Sequence, residues 1–305
     1  MTYSAGSTIL DDDYNNFANQ VNTVWGTGSD DSGYGQTNTI STVSAGSTIT
    51  ATQWATLLTR ISSAATHQGT SITAITNPVA GNTISAYAAL TTNITAIQNG
   101  KNNASASGSD SSASTTTTSA WSTSATTSKT ITFPSANQLR YFFNAGGMLR
   151  MSFSRSGGTT SDQNTAWTQL LSNTGTIVLT GAGDPGPNKT IAGTAYTGTT
   201  KIGGGGTPTT LLTGTGAYDL TGTPVTIFKQ IGTSYSYTSN FIQINASISG
   251  NVITFAVTLS DVSTPGVDSV DGTLTMTTVI RDPSTSTLAD TWGTPTQNSA
   301  SWSLS

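Results

Sequence analysis

Cysteine is absent from this chain, so disulfides, thiolate metal sites and thiol nucleophiles are excluded. All 14 acidic residues are Asp, with no Glu among them, and the single histidine is His67. Any Ser/His/Asp set would have to use that one imidazole. A lone His with no Cys, Glu or second His beside it is a poor metal or catalytic centre, and a helix-terminal or packing role is expected for it. Charged residues make up 8% of the chain, against about 25% in an average soluble domain. The net charge is -4 and the pI is near 4.6, which gives no basic footprint for nucleic acid. No apolar run approaches the roughly 20 residues that cross a bilayer. Met1-Thr2-Tyr3-Ser4 lacks the basic and apolar blocks of a signal peptide. Synthesis in the cytosol is therefore expected, with no catalytic residue, cofactor, metal or membrane insertion.

What fills the space left by charge is hydroxyl. Ser and Thr make up about a third of the 305 residues. Disordered chains pair low hydrophobicity with high net charge, whereas here Ile, Val, Leu and aromatics recur throughout and the hydrophobic fraction is 34%. Thr, Ile, Val, Tyr and Phe favour a pleated, half-buried surface, so the bulk composition reads as β-rich.

The N-terminal third departs from that bulk. Ala5-Gly6-Ser7-Thr8-Ile9 recurs as Ala45-Gly46-Ser47-Thr48-Ile49 and as Ala80-Gly81-Asn82-Thr83-Ile84, at spacings in the range of repeated supersecondary units. A helical pattern follows each copy. Tyr14, Phe17, Val21, Val24 and Trp25 follow the first; Trp54, Leu57, Leu58 and Ile61 the second; Tyr87, Leu90, Ile94 and Ile97 the third. Spacings of three and four put each set on one face. Asp11, Asp12 and Asp13 suit a helix N-terminus, Thr50 and Gln53 form a capping box, and Gly26, Gly69 and Gly100 mark the ends. Helices are predicted near 11–25, 51–66 and 85–99. Short helices with one apolar stripe are marginal alone. The stripe residues Tyr14, Phe17, Val21, Trp25, Trp54, Leu57, Leu58, Ile61, Leu90, Ile94 and Ile97 are thus expected to serve oligomerisation or attachment.

Residues 101–127 carry long Ser/Thr/Ala runs with Trp121 as the one large apolar group, and read as a linker. From 128 the period becomes two. Leu149, Met151 and Phe153 alternate with Arg150, Ser152 and Ser154, and Phe241–Ser249 and Asn251–Ser260 form a hairpin pattern around Gly250. Further strands are predicted at 176–180, 225–230 and 274–280, and a short helix at 164–171. Residues 181–222 read as Gly/Thr/Pro-rich long loops with short strands, with Tyr196 and Tyr218 as candidates for surface contact.

Three motifs fall to ordinary readings. Gly183–Thr190 resembles a phosphate-binding loop but has Asn188 before Lys189 and two prolines that remove N–H donors. Gly26-Thr27-Gly28 with Gly33-Tyr34-Gly35 follows a helix, whereas a dinucleotide fingerprint follows a strand. Asp261, Asp268 and Asp271 cluster near a hairpin end, but nothing in the sequence fixes the separation a carboxylate pair needs.

Several segments resemble virion structural proteins of tailed cyanophages. They include Tyr14-Asn15-Asn16 through Gln20, Trp25–Gly28, Gly33-Tyr34-Gly35-Gln36, Ile49–Trp54, His67-Gln68-Gly69, Asn137–Gly147 and Val270–Thr275. The resemblance covers most of residues 10–70 and 130–280. It implies a virion location as a particle or tail-fibre component and carries over no catalytic residues. In Asn137–Gly147, Tyr141 and Phe143 are expected on one face of a bent strand and Phe142 on the other, with Leu149, Met151 and Phe153 continuing the core. The expectation is an α+β, mainly β chain. A helical repeat region over 1–100 attaches it, 101–127 links, and 128–305 forms an antiparallel β-sandwich. The expected partners are copies of itself, as a homotrimer, other virion proteins, and a host surface glycan or protein. A neck, baseplate or capsid-surface decoration protein is the alternative.

Overall fold

The three predicted helices form where the apolar spacing places them. The computed structural model describes residues 10–79, 86–181, 188–263 and 269–305. Helix α1 spans Asp11–Trp25, α2 Ala51–Gln68 and α3 Tyr87–Asn99. Thr50 caps α2: its Oγ1 accepts from the Gln53 N–H at 3.2 Å, and Gln53 Oε1 accepts from the Thr50 N–H at 2.8 Å. The three stripes meet each other. Tyr14 sets its ring edge-on to Trp54 at 5.6 Å, and Phe17 packs on Tyr87 at 5.2 Å. Tyr14, Phe17, Val21, Trp25, Trp54, Leu57, Ile61, Leu90, Ile94 and Ile97 are all buried, and Leu58 is partly buried against the same cluster. The reason for assigning these side chains to oligomerisation does not hold, because the stripes are covered within the chain. Of the repeats, the copies at 5–9 and 80–84 lie outside the described residues.

The expected linker is instead sheet. Strand β1 is Asn103–Ala104, β2 Ser107–Thr117 and β3 Ser124–Thr132, and Trp121 bridges to Val270. The segment has no core of its own and needs none. As an edge strand it borrows one from its neighbour, and its Thr residues are β-branched. Helix α4 (Ala136–Asn144), strand β4 (Met148–Ser156) and helix α5 (Asp162–Thr174) follow. Short strands β5 (Thr176–Leu179), β6 (Lys189–Ile191), β7 (Thr194–Tyr196), β8 (Thr199–Ile202) and β9 (Thr210–Leu211) lead to β10 (Val225–Ile231), β11 (Phe241–Ser249), β12 (Val252–Ser260) and β13 (Thr273–Pro283). Two short pieces, β14 (Thr296–Gln297) and β15 (Ser303–Leu304), complete the chain.

The strands make three sheets, ordered β2-β13-β4-β5-β8, β14-β3-β12-β11-β10-β9 with β15 also on β3, and β1-β6-β7. Both large sheets are antiparallel, and the small one is parallel only between β1 and β6. The β11–β12 hairpin turns at Gly250-Asn251, with Ser249 opposite Val252. Asp110 on β2 stands opposite Arg281 on β13, and the two pair side chain to side chain, which pins the register. The inward residues Leu149, Met151, Phe153 and Met276 of one sheet and Ile131, Phe255, Val257 and Ile244 of the other belong to one buried cluster with the helices.

Asn137–Asn144 is helix rather than strand, and Ala145–Gly147 turn the chain into β4. Leu139, Phe142 and Phe143 stand at i, i+3 and i+4, and the Ser135 Oγ accepts from the Gln138 N–H at 3.2 Å as the N-cap. Tyr141, Phe142 and Phe143 are all buried, because α4 is covered on more than one face. Phe142 and Phe143 lie edge-on to each other at 5.1 Å, and Phe133 packs on both. The triplet Tyr141-Phe142-Phe143 by itself fits either period; the helical signal lay in the Ser135 cap and in Leu139 at i to Phe142 and Phe143.

His67 seals the joint between α2 and α4. It is 2% exposed, its Nε2–H donates to the Ala145 carbonyl at 3.1 Å, and its ring meets Tyr34 at 5.0 Å. Burial lowers its pKa to about 4, against the Ala145 carbonyl, which raises it. In the unfolded chain it would titrate near 6.5. The folded state therefore keeps the ring neutral where the unfolded state binds a proton. The stabilisation is complete above 6.5, is lost as the pH falls from 6.5 to about 4, and is gone below that. The loss is on the order of 3 kcal/mol. No Glu competes in that window. Urea midpoints measured across it should fall with pH for the wild type and stay flatter for His67→Gln. Equal slopes for the two would show that His67 does not govern the dependence.

Candidate functional site

The most structured polar site lies at the turn between β4 and α5, Ser156-Gly157-Gly158-Thr159-Thr160-Ser161. Ser161 caps α5 by accepting from the Asn164 N–H at 3.1 Å. The cap fixes Asn164, which is 2% exposed and works in three directions. Its Nδ2 donates to the Thr159 carbonyl at 2.9 Å and to Asp271 Oδ1, and its Oδ1 accepts from the Asp271 N–H at 3.2 Å. Arg155, at the end of β4, turns inward. Its guanidinium donates to Asp271 Oδ1 at 3.2 Å, to Thr168 Oγ1 at 3.1 Å and to the Asn164 carbonyl at 3.3 Å. Gly158 comes so close that a Cβ there would lie 2.4 Å from Asp271 Oδ1 and 2.8 Å from Arg155, and its φ is +81°. Only glycine fits that approach.

The charges are tuned by these contacts. The Thr159 N–H, with Asn164, the Thr159 hydroxyl and Arg155, holds the Asp271 carboxyl below the usual carboxylate range against desolvation. Burial lowers the Arg155 guanidinium, against the raising influence of Asp271. A groove of about 560 Å³ opens beside the network, lined by Gly157, Gly158, Thr160, Thr165, Gln169 and Ser172 among others. Its lining is small and polar. The acceptor strength of Asp271 is spent on Thr159, Asn164 and Arg155 rather than aimed into the groove. The network ties the turn, the N-terminus of α5 and the start of β13 together.

The other sequence candidates scatter. Asp261 is buried and accepts from the Gln163 amide and from Trp167 Nε1 at 3.3 Å, so it supports α5 rather than pairing with Asp271 for chemistry. Asp268 and residues 183–187 of the phosphate-loop-like segment lie outside the described residues. The Gly26–Gly35 turn does not face a ligand: Arg140 donates to the Thr27 and Ser32 carbonyls, and Asn144 to the Gly33 carbonyl. Among the described residues, no group of three or more His or Asp is placed to hold a metal, and no helix is long and apolar enough to cross a membrane. Tyr196 is not free for surface contact, and Tyr218 is half-buried. Tyr196 is buried beside Met148 and Val178; Tyr218 packs on Phe143 and donates to Asn144 Oδ1 at 2.6 Å. The network of Arg155, Asn164 and Asp271 escaped the sequence reading because its members are 107 and 9 residues apart. The one local signal was the Ser161 cap with Asn164 three residues on.

Both large sheets turn hydroxyls outward. Ser112, Ser114 and Thr116 of β2 stand level with Val279, Thr277 and Thr275 of β13, and Ser152 and Ser154 of β4 extend the row. Thr126, Thr130, Thr254 and Thr258 do the same on the other sheet. The Thr surplus thus supplies β-branched strand formers that also face solvent.

Asn164→Ala leaves the Thr159 carbonyl and the Asp271 N–H without their partner and is expected to cost about 2 kcal/mol. A urea midpoint unchanged from wild type would remove the network's claim to hold the turn. Limited proteolysis should cut the variant first within 156–161.

Comparison of the chain with protein-family models, with curated proteins and with solved structures finds no match in any of the three.

Proposed function

We propose that this chain is a non-enzymatic structural component of a phage particle, an appendage or tail-fibre subunit in the first reading. The observation that carries the proposal is where the virion-like segments meet. Gly33–Gln36, His67–Gly69 and Asn137–Gly147 are far apart in sequence, yet they pack on one another as a single joint: His67 on Ala145, Tyr34 on His67, Asn144 on Gly33. Segments that build one joint constrain one another, and we take their shared resemblance as that of a common structural part. The hydroxyl faces fit the same role, since weakly charged surfaces favour association. In this reading the two large sheets are the layers of an antiparallel sandwich, and the N-terminal helices are the remains of a helical repeat.

One observation favours the second reading, a neck, baseplate or capsid-surface decoration protein. The helices are not a separate docking arm. Gln36 exchanges two hydrogen bonds with the Ala289 backbone, at 2.9 and 3.0 Å, and Arg140 grips the turn after α1. A single body of this kind suits a subunit laid against a particle as well as one projecting from it.

An antibody raised against the chain should label purified particles of the phage that encodes it. Label at tail tips or fibres supports the first reading and label at the neck or shell the second; particles free of the protein would end both. The isolated protein is expected to sediment as a homotrimer whose mass does not change from low to moderate salt. Dissociation with salt would show that ion pairs hold the subunits.

A further inference from the structure

Strands β1 and β6 run parallel, with Asn103 opposite Thr190 and Ala104 opposite Ile191. The ladder continues one step back, where the Thr190 N–H donates to the Asn102 carbonyl at 3.0 Å. Asn102 therefore stands beside Lys189. Side chains alternate along a strand, so both fall on the face that carries Ala104 and Ile191. That face is apolar: Ala104, Ile191 and Tyr196 cluster with Met148 and Val178, and Tyr196 is the cross-strand neighbour of Lys189.

A lysine in this setting is unusual. Lys189 is 1% exposed and takes part in none of the ion pairs among the described residues. A buried ammonium without a counter-ion is costly. Burial lowers the Lys189 amine to about 8; the charge of Asp31 works against that shift and that of Lys101 with it. Its Nζ instead lies 2.7 Å from Asn102 Oδ1. That hydrogen bond, donated by the amine, holds Lys189 Nζ beside the side-chain amide of Asn102, the group whose carbon an amine can attack.

We propose that Lys189 and Asn102 are joined by an intramolecular isopeptide bond. The deprotonated fraction of the Lys189 amine attacks Cγ of Asn102 through Nζ and forms a new C–N bond. The carbon's bond to Nδ2 breaks, a proton passes from the attacking nitrogen to the departing one, and ammonia leaves. No oxidant, metal or cofactor is consumed. The product is an amide, uncharged and hydrogen-bonding, which removes the buried ammonium. It also ties together two strands 87 residues apart. A cross-link of that span stabilises by restricting the unfolded chain, and it does so in a protein that has no cysteine and could be made in a reducing compartment.

The test is the intact mass of the folded full-length protein, followed by tryptic mapping. The mass should fall short of the sequence mass by one ammonia. Lys189 should resist trypsin, and the peptide that begins at Asn102 should be found joined to the one that contains Lys189. Lys189→Arg should show the full sequence mass and two separate peptides. If that variant does not fold, the wild-type map decides alone. A wild-type protein of full sequence mass would overturn the proposal. So would an ammonia loss with the Asn102 and Lys189 peptides unlinked, since that would trace to ring closure at an asparagine elsewhere.

Discussion

The turn Gly33–Gln36 is gripped from three sides, and the placement of helices against sheets depends on that grip. From α2, Gln68 Nε2 donates to the Tyr34 hydroxyl at 2.8 Å, and His67 packs on its ring. From α4, Asn144 holds the Gly33 carbonyl, and the Tyr141 ring lies where a Cβ on Gly35 would come within 2.4 Å. From the segment after β13, Ala289 closes on Gln36. Gly35 sits at φ +73°, so both its backbone conformation and its lack of a side chain are required. Nearly every partner in this joint is buried and polar. Each bond must therefore be made, because an orphaned buried amide or carbonyl costs more than the bond contributes when satisfied.

That joint explains how a chain so poor in charge keeps a defined tertiary structure. Ion pairs do little of the work. Lys101–Asp31 and Arg281–Asp110 are partly exposed, and pairs of that kind contribute little. The core is apolar and continuous, from the helical stripes through α4 to the inner faces of both sheets. Specificity comes from neutral amides and hydroxyls at its seams: Gln36, Gln68, Asn144, Asn164 and Tyr218. Lys129 follows the same economy. It points inward from β3, and its Nζ finds the Asn298 carbonyl at 2.7 Å rather than a carboxylate.

The hydroxyl-rich segments read differently once a neighbour is present. Ser107–Thr117 has no large apolar residue, and by composition nothing distinguishes it from a flexible connector. As an edge strand it needs only one partner, and β13 supplies the apolar face, with Asp110 and Arg281 setting the alignment. Its own free edge is partly occupied: Trp302 Nε1 donates to the Thr115 carbonyl at 3.0 Å, and Gln297 to the Ser111 carbonyl at 3.3 Å. Such cover limits the pairing with other chains that a bare edge invites.

Local periodicity and end signals were enough to determine the three N-terminal helices, α5 and the β11–β12 hairpin, because in each the chemistry that starts, stops or patterns the element lies within a few residues of it. The absence of Cys and Glu and the single His likewise limited the available chemistry before any fold was known. Long-range contact decided the rest. Whether the apolar stripes await a partner or cover one another depends on where the helices lie in space, which no single stripe records. Tyr141-Phe142-Phe143 could not choose between helix and strand alone, since a segment buried on more than one face has no period to show. The meeting of Arg155 with Asp271, and of Lys189 with Asn102, joins residues whose separation along the chain carries no information about their distance. Only the pairing of β4 with β13 and of β1 with β6 brings those atoms together.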